Sequence, residues 1–191
     1  NGTALSGDNR VHVTGATVND IHGGYAMAHS GTEAIATGNE AIVIDSTVTN
    51  DIYGGYAFAS SGIARAVGNS VILSGGEVSC DIYGGFSGTR VGGWATGNSV
   101  TISGAPNLAN SRLYGGIVRN GTGPLVVRDG DAFSGNTLNI KTSGLTVQGL
   151  YNFQNINFYL PSSLAAGDTA LTTTEEARLS ENKIGRASCR E

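Results

Sequence analysis

The chain has 191 residues, of which 14% are charged, with 30 glycines, three prolines and a net charge of −4. That acidity, with no basic run anywhere, disfavours nucleic acid as a partner, and no stretch reaches the roughly 18 apolar residues of a membrane helix. The polar bulk comes from Asn, Ser and Thr, a mix common in extracellular β-rich scaffolds.

Read from its start, the chain repeats itself. GTALSGDN at 2–9 resembles GIARAVGN at 62–69, so it is expected to begin inside a repeat, as a fragment, and it shows no charged-then-apolar signal segment. NDIHGGY at 19–25, NDIYGGY at 50–56, CDIYGGF at 80–86 and SRLYGGI at 111–117 are one motif. Its first glycines, Gly23, Gly54, Gly84 and Gly115, lie 31, 30 and 31 residues apart. A second motif built on Gly-Asn follows each of the first three: TGNEAIVI at 37–44, VGNSVILS at 67–74 and TGNSVTIS at 96–103. A period of about 30 residues with strand-like blocks marks a stacked repeat architecture.

Each block alternates with period two, as a strand does. The columns Val11/Ala41/Val71/Val100 and Val13/Val43/Leu73/Ile102 are apolar and predict an inward face, while His12/Ile42/Ile72/Thr101 between them reads as outward. A second strand is expected from Val18/Val48/Val78/Leu108 through Ile21/Ile52/Ile82/Leu113. A third block carries small residues, Ala34/Ala64/Gly93 and Ala36/Ala66/Ala95, and implies a narrow interior where two walls approach closely.

Such coils are too apolar on one face to stand alone, and parallel stacking at about 4.8 Å per coil buries that face. The expected fold is therefore all-β, a parallel β-helix (β-solenoid) with coils of about 30 residues. Stacking would let Asn9, Asn39, Asn69 and Asn98 bond amide to amide along one column. It would also pile the rings of His22/Tyr53/Tyr83/Tyr114, and of Tyr25/Tyr56/Phe86 below Ile117. The Gly-Gly pairs read as corners that need glycine backbone angles.

Regular repeats are expected over 1–125 and irregular coils of the same solenoid over 126–182. The latter hold alternating runs at Leu138/Ile140, Leu145/Val147 and Ile156/Phe158/Leu160. TTTEEARLSEN at 172–182 is the one helix-like segment, with the Thr173-x-x-Glu176 capping spacing. The tail at 183–191, KIGRASCRE, is unrelated to the repeats and resembles the translation of a sequencing adapter joined to a truncated gene. Setting it aside removes Cys189 and leaves Cys80 alone, in the column of Asn19 and Asn50, with no disulfide framework.

The DIYGGY…GxAxGNxVxI pattern resembles the passenger region of autotransporter proteins of Gram-negative bacteria. NFQNINFYLP at 152–161, inside the block 136–173, is similar to the stretch that precedes the outer-membrane barrel in that family. The resemblance implies a parallel β-helix displayed on the cell surface, extracellular and anchored to the outer membrane in the full-length protein. It implies an adhesin or structural stalk whose partners are its own C-terminal outer-membrane β-barrel and a glycan or protein on a host or neighbouring cell. The alternative is a pectinase-like, polysaccharide-processing enzyme on the same scaffold.

Candidate chemistry is sparse. Asp20, Asp51 and Asp81 fall in one column, with Arg112 in the fourth place. Carboxylates at that spacing suit a solvated or turn-capping ladder, a Ca²⁺ site or acid–base work, and Arg112 could pair with Asp81. The Asp129-Gly-Asp131 loop raises the same question of calcium. His12, His22 and His29 share the first coil, but His12 replaces an Ile and His22 a Tyr in their columns, which reads as structural substitution. There is no Ser nucleophile elbow, HExxH, phosphate loop or CxxC. The tyrosine columns are a conceivable carbohydrate-stacking surface. No catalytic, cofactor-binding or metal residue is assigned, no cofactor is expected, and the chain is read as a non-enzyme.

Overall fold

The computed structural model describes residues 2–29, 32–120, 130–162 and 164–179. The tail at 183–191, the boundary near 125 and Asp129 lie outside the described residues. The chain winds as a parallel β-solenoid, and no helix occurs among the described residues.

The first coil runs through β1 (Thr3–Gly7), β2 (Arg10–Thr14), β3 (Thr17–Val18) and β4 (Ile21–Ala28). The second repeats it as β5 (Glu33–Thr37), β6 (Glu40–Ile44), β7 (Thr47–Val48) and β8 (Ile52–Ala59), and the third as β9 (Ile63–Val67), β10 (Ser70–Ser74), β11 (Glu77–Val78) and β12 (Ile82–Thr89). The fourth has β13 (Gly92–Trp94), β14 (Ser99–Ser103) and β15 (Leu108–Asn120), in which the two final strands fuse. Then follow β16 (Gly130–Asp131), β17 (Thr137–Ile140), β18 (Leu145–Tyr151), β19 (Asn155–Phe158), β20 (Leu171–Thr173) and β21 (Ala177–Arg178). Strands pair in parallel with their copies in the neighbouring coils, and β21 joins β18 beside β20. This gives walls in the order β1-β5-β9-β13-β16, β2-β6-β10-β14-β17-β19, β3-β7-β11 and β4-β8-β12-β15-β18-β20.

Register follows the columns read from the sequence: Val71 pairs with Ala41 and Val100, and Leu73 with Val43 and Ile102. These inward residues are fully buried, whereas Ile72 between them faces outward and is half-buried. The interior divides into two cores. Aliphatic side chains such as Ile52, Leu73, Ile82, Leu113 and Ile140 fill the broad one. In the first coils the other is built of alanine, with Ala26, Ala28, Ala57 and Ala59 packed on Ala34, Ala36, Ala64 and Ala66. The small inward column thus marks two walls in close approach, where a larger side chain needs a smaller one opposite, as Val118 has in Gly93.

The asparagine column stands where the two cores meet. Asn9 Nδ2 donates to Asn39 Oδ1 at 2.8 Å, Asn39 to Asn69 at 3.0 Å, Asn69 to Asn98 at 3.1 Å and Asn98 to Asn136 at 3.3 Å. The same Oδ1 atoms accept the backbone N–H of the preceding rung at 2.9–3.1 Å. The second amide proton of Asn39, Asn69, Asn98 and Asn136 goes to the carbonyl of Ser6, Ala36, Ala66 and Ala95 respectively. Four of the five asparagines are at most 1% exposed, so this satisfaction is what allows an amide inside the fold.

One expectation is corrected. The Gly-Gly pairs lie within β4, β8, β12 and β15, and none has positive φ. Their need for glycine is steric: a methyl on Gly24, Gly55 or Gly85 would overlap the amide of Asn39, Asn69 or Asn98. The left-handed corner falls instead at the residue before each asparagine, Gly38, Gly68, Gly97 and Gly135, with Asp8 (φ 55°) in the first coil. The helix-like segment carries strand, in β20 and β21, because the edge of β18 offers Leu171–Thr173 and Ala177–Arg178 backbone partners.

The two faces of β10 give a direct test by chemical denaturation. Val71→Asp should cost about 3 kcal/mol or more and unfold neighbouring coils with it. Ile72→Asp, one residue along, should cost about 1 kcal/mol. Equal losses would mean that the inward and outward assignment is wrong. The two kinds of glycine separate likewise. Gly68→Ala, with φ 67° but open space around its Cβ position, should lose about 1–2 kcal/mol. Gly55→Ala should lose about 3 kcal/mol or more through the displaced Asn69 amide.

Candidate functional site

The groups most able to do chemistry gather along the turn into the fourth wall. A two-residue bend separates β3 from β4, and the sequence there is Asn-Asp, residues that bond readily to nearby backbone. Asp20 Oδ1 accepts the N–H of Asp51 at 3.3 Å, Asp51 Oδ1 that of Asp81 at 3.0 Å, and Asp81 Oδ1 that of Arg112 at 3.0 Å. Each carboxylate therefore caps the turn of the next coil. The remaining oxygens are also engaged: Tyr53 Oη donates to Asp51 Oδ2 at 2.9 Å and Tyr83 Oη to Asp81 Oδ2 at 3.3 Å. Asp20 Oδ2 accepts from Asn19 at 2.9 Å, while Asn50 adds a second bond to Oδ1 at 2.8 Å.

The guanidinium of Arg112 does not turn to Asp81. It donates to Glu175 Oε2 at 2.9 Å, and Gln148 donates to the other Glu175 oxygen at 2.9 Å. The stacking explains this, because Glu175 sits between β20 and β21, which lie on β18, the strand that pairs with β15 at Arg112. Burial pushes the Asp81 carboxyl up, against the opposing pull of the Arg112 N–H and charge. Burial also raises the phenols of Tyr53 and Tyr83 far above their ordinary range, with the Asp51 and Asp81 charges adding to it. For Tyr114, where the aspartate is replaced by Arg112, the phenol is pushed up to about 12 by burial and the Asp81 charge.

Five rings stack along this turn. Successive centroids of His22, Tyr53, Tyr83, Tyr114 and Tyr151 lie 4.8–4.9 Å apart with interplanar angles of 6–17°. Beside them Tyr25, Tyr56 and Phe86 stack at 4.9 and 4.6 Å, and the two columns meet edge to face. These spacings are those of favourable aromatic pairs, about 0.5–1.5 kcal/mol each beyond area burial. Ring faces are consumed by the stacking, and ring edges point outward. Within these two columns a sugar seeking an aromatic face meets one at a column end, as at Tyr25, which is 48% exposed.

The histidines do not converge. His12 lies on the outer face of β2 beside Thr14, His22 is sandwiched in the ring column, and His29 is exposed beyond β4. Among the described residues no group of three or more His, Cys, Asp or Glu is placed to hold a metal ion. Asp131 Oδ1 accepts the N–H of Phe133 at 2.7 Å and of Ser134 at 2.9 Å; burial acts against ionisation, but these bonds hold the carboxyl below its usual range. Cys80 is a half-buried free thiol 3.8 Å from the Thr49 carbonyl, raised in pKa by burial and then by nearby aspartates. A cleft of about 190 Å³ lies at the end of the ring column, between Tyr114, Tyr151, Asn152 and Arg178. It is smaller than the roughly 300–1,000 Å³ of typical ligand sites.

Two members of these columns escaped the sequence reading. Asn136 is the fifth rung of the amide ladder and Tyr151 the fifth ring. Gly135-Asn136 and Leu150-Tyr151 copy Gly97-Asn98 and Leu113-Tyr114, but the period between them has lengthened past 30 residues. No known family, characterised protein or solved structure matches the chain in comparison.

His22 provides a pH test. Its Nδ1 is buried without a partner, and burial lowers its pKa although Asp20 and Asp51 pull the other way. With the folded pKa below that of the unfolded chain, the unfolded state binds the extra proton first as pH falls below about 6.5. Stability from this residue is therefore present above that pH and lost as the pH falls through it. His22→Tyr, which restores the ring of the other coils, should raise the melting temperature and flatten the pH dependence between about 5 and 7. An unchanged slope would assign it to another group.

Proposed function

We propose that this chain is part of an autotransporter passenger, exposed at the surface of a Gram-negative cell, where it serves as an adhesin or as the stalk that carries one. Its covalent partner in the full-length protein is its own outer-membrane β-barrel, and the recognised partner is a glycan or protein on a host or neighbouring cell. The observation that carries this reading is where the polar and aromatic groups are spent. Amides of the asparagines, carboxylates of the aspartates and faces of the rings all bind the next coil. A surface whose reactive groups serve stacking suits a rod that holds something out from a cell. The repeat motifs and the NFQNINFYLP segment add the family resemblance.

The polysaccharide-processing alternative has less support. It needs carboxylates directed at a substrate groove, and Asp51 and Asp81 are committed to backbone N–H groups and phenols. The enzyme-free reading also accords with the single lysine, Lys141, before the tail.

Surface display is tested with the complete gene, tagged in the exposed stretch around Ala165–Gly167. Intact cells should bind antibody to the tag and lose it to added protease. Labelling only after the cells are lysed would overturn the proposal. Incubating the purified chain with pectic glycans tests the alternative: sustained release of reducing ends, abolished by Asp51→Ala, would replace a stalk by an enzyme.

A further inference from the structure

The tyrosine column offers a reaction that its structural role does not use. Tyr53 and Tyr83 stack with centroids 4.9 Å apart and planes 6° from parallel, on adjacent coils. Each phenol donates to a carboxylate, Tyr53 to Asp51 and Tyr83 to Asp81. We propose that Tyr53 and Tyr83 form an oxidative cross-linking site, where peroxide acting through a one-electron oxidant joins the rings as dityrosine and ties the second coil covalently to the third.

A phenol that loses an electron becomes strongly acidic, so its proton must leave with the electron. A base already hydrogen-bonded to the hydroxyl makes that transfer direct. Within the column this pair alone has such a base on both rings among the described residues. His22 has no phenol, Tyr114 stands above Arg112 where the other coils have aspartate, and no carboxylate bond is found for Tyr151. Tyr25 and Tyr56 stack equally well, but Tyr25 Oη points to Met27 Sδ at 3.9 Å and not to a carboxylate. Burial keeps both phenols of the proposed pair un-ionised at any ordinary pH, which closes the route through a free phenolate.

The reaction balances as follows. Each tyrosine gives one electron to the oxidant and its hydroxyl proton to the aspartate it touches. The two phenoxyl radicals couple through one new carbon–carbon bond between positions ortho to the oxygens. The two ortho protons then move to the phenol oxygens, and the aspartates release theirs to water. Two electrons and two protons leave in total and reduce one peroxide to two waters.

The test treats the purified chain with peroxide and a haem peroxidase, then reads dityrosine fluorescence, intact mass and a peptide map. A monomeric product lighter by two hydrogens, with Tyr53 linked to Tyr83, is expected. Tyr83→Phe keeps the ring, as Phe86 does in the neighbouring column, and should abolish the link. The pair Asp51→Asn with Asp81→Asn keeps an Oδ1 acceptor for the turn N–H groups and should lose most of the link while Tyr25→Phe leaves it intact. A link found only at Tyr25–Tyr56, none within a single chain, or an undiminished yield in the Asn variants would overturn the proposal. Should the Asn variants fail to fold, the peptide map of the parent chain against Tyr83→Phe decides it.

Discussion

Five asparagine amides hold the solenoid at the line where its broad and narrow cores meet. An amide has two donors and an acceptor with two lone pairs, and from the second rung to the fourth each Asn side chain fills all of these within the protein. Removing one therefore damages its neighbours. Without the Asn69 side chain, the N–H and one amide proton of Asn39 and the carbonyl of Ala36 lose their partners. Each such buried orphan costs about 1–3 kcal/mol, so the three together outweigh the roughly 1.5–3 kcal/mol that a well-packed leucine would return.

The other features adapt to that line. Asparagine needs a left-handed residue before it to turn its side chain inward, and glycine supplies it. It needs floor space on the fourth wall, and the second glycine of each Gly-Gly pair leaves it. On one side the chain can then carry Ile, Val and Leu, and on the other mostly Ala, Ser or Thr, with Val118 admitted where Gly93 on the facing wall leaves room. In the third coil Ser87 and Thr89 take up the narrow side, and their hydroxyls reach the carbonyls of Ala64 and Gly62 at 2.8 and 2.6 Å. Aspartates and rings at the far turn repeat the principle, each group binding its copy.

What could be read from the sequence was what repeats. Inward columns such as Val71/Val100, the alanine lobe, the amide ladder and the ring stacks all rest on residues that recur at one period. Misreadings came where a residue's reason is not local. Gly55 looks the same whether it supplies a backbone angle or an empty space, and only the position of Asn69 across the coil distinguishes them. Residues 172–178 have weak local preference, and the free edge of β18 decides for strand. Arg112 finds Glu175, 63 residues away, which no pattern near either residue announces. Asn136 and Tyr151 were hidden by the changed spacing alone.

That spacing has a consequence for how such a chain can vary. Asn98 and Asn136 are 38 residues apart, yet the bond from the Asn98 N–H to the Asn136 amide, at 2.9 Å, is as short as the Asn69–Asn98 bond across 29 residues. The ladder counts coils and ignores the length of chain between them. Insertions that respect the rungs leave the amide ladder in step on either side, so a lineage can lengthen the chain between two rungs while the rod stays aligned. Selection is then free to experiment with what the rod displays there, without renegotiating the fold.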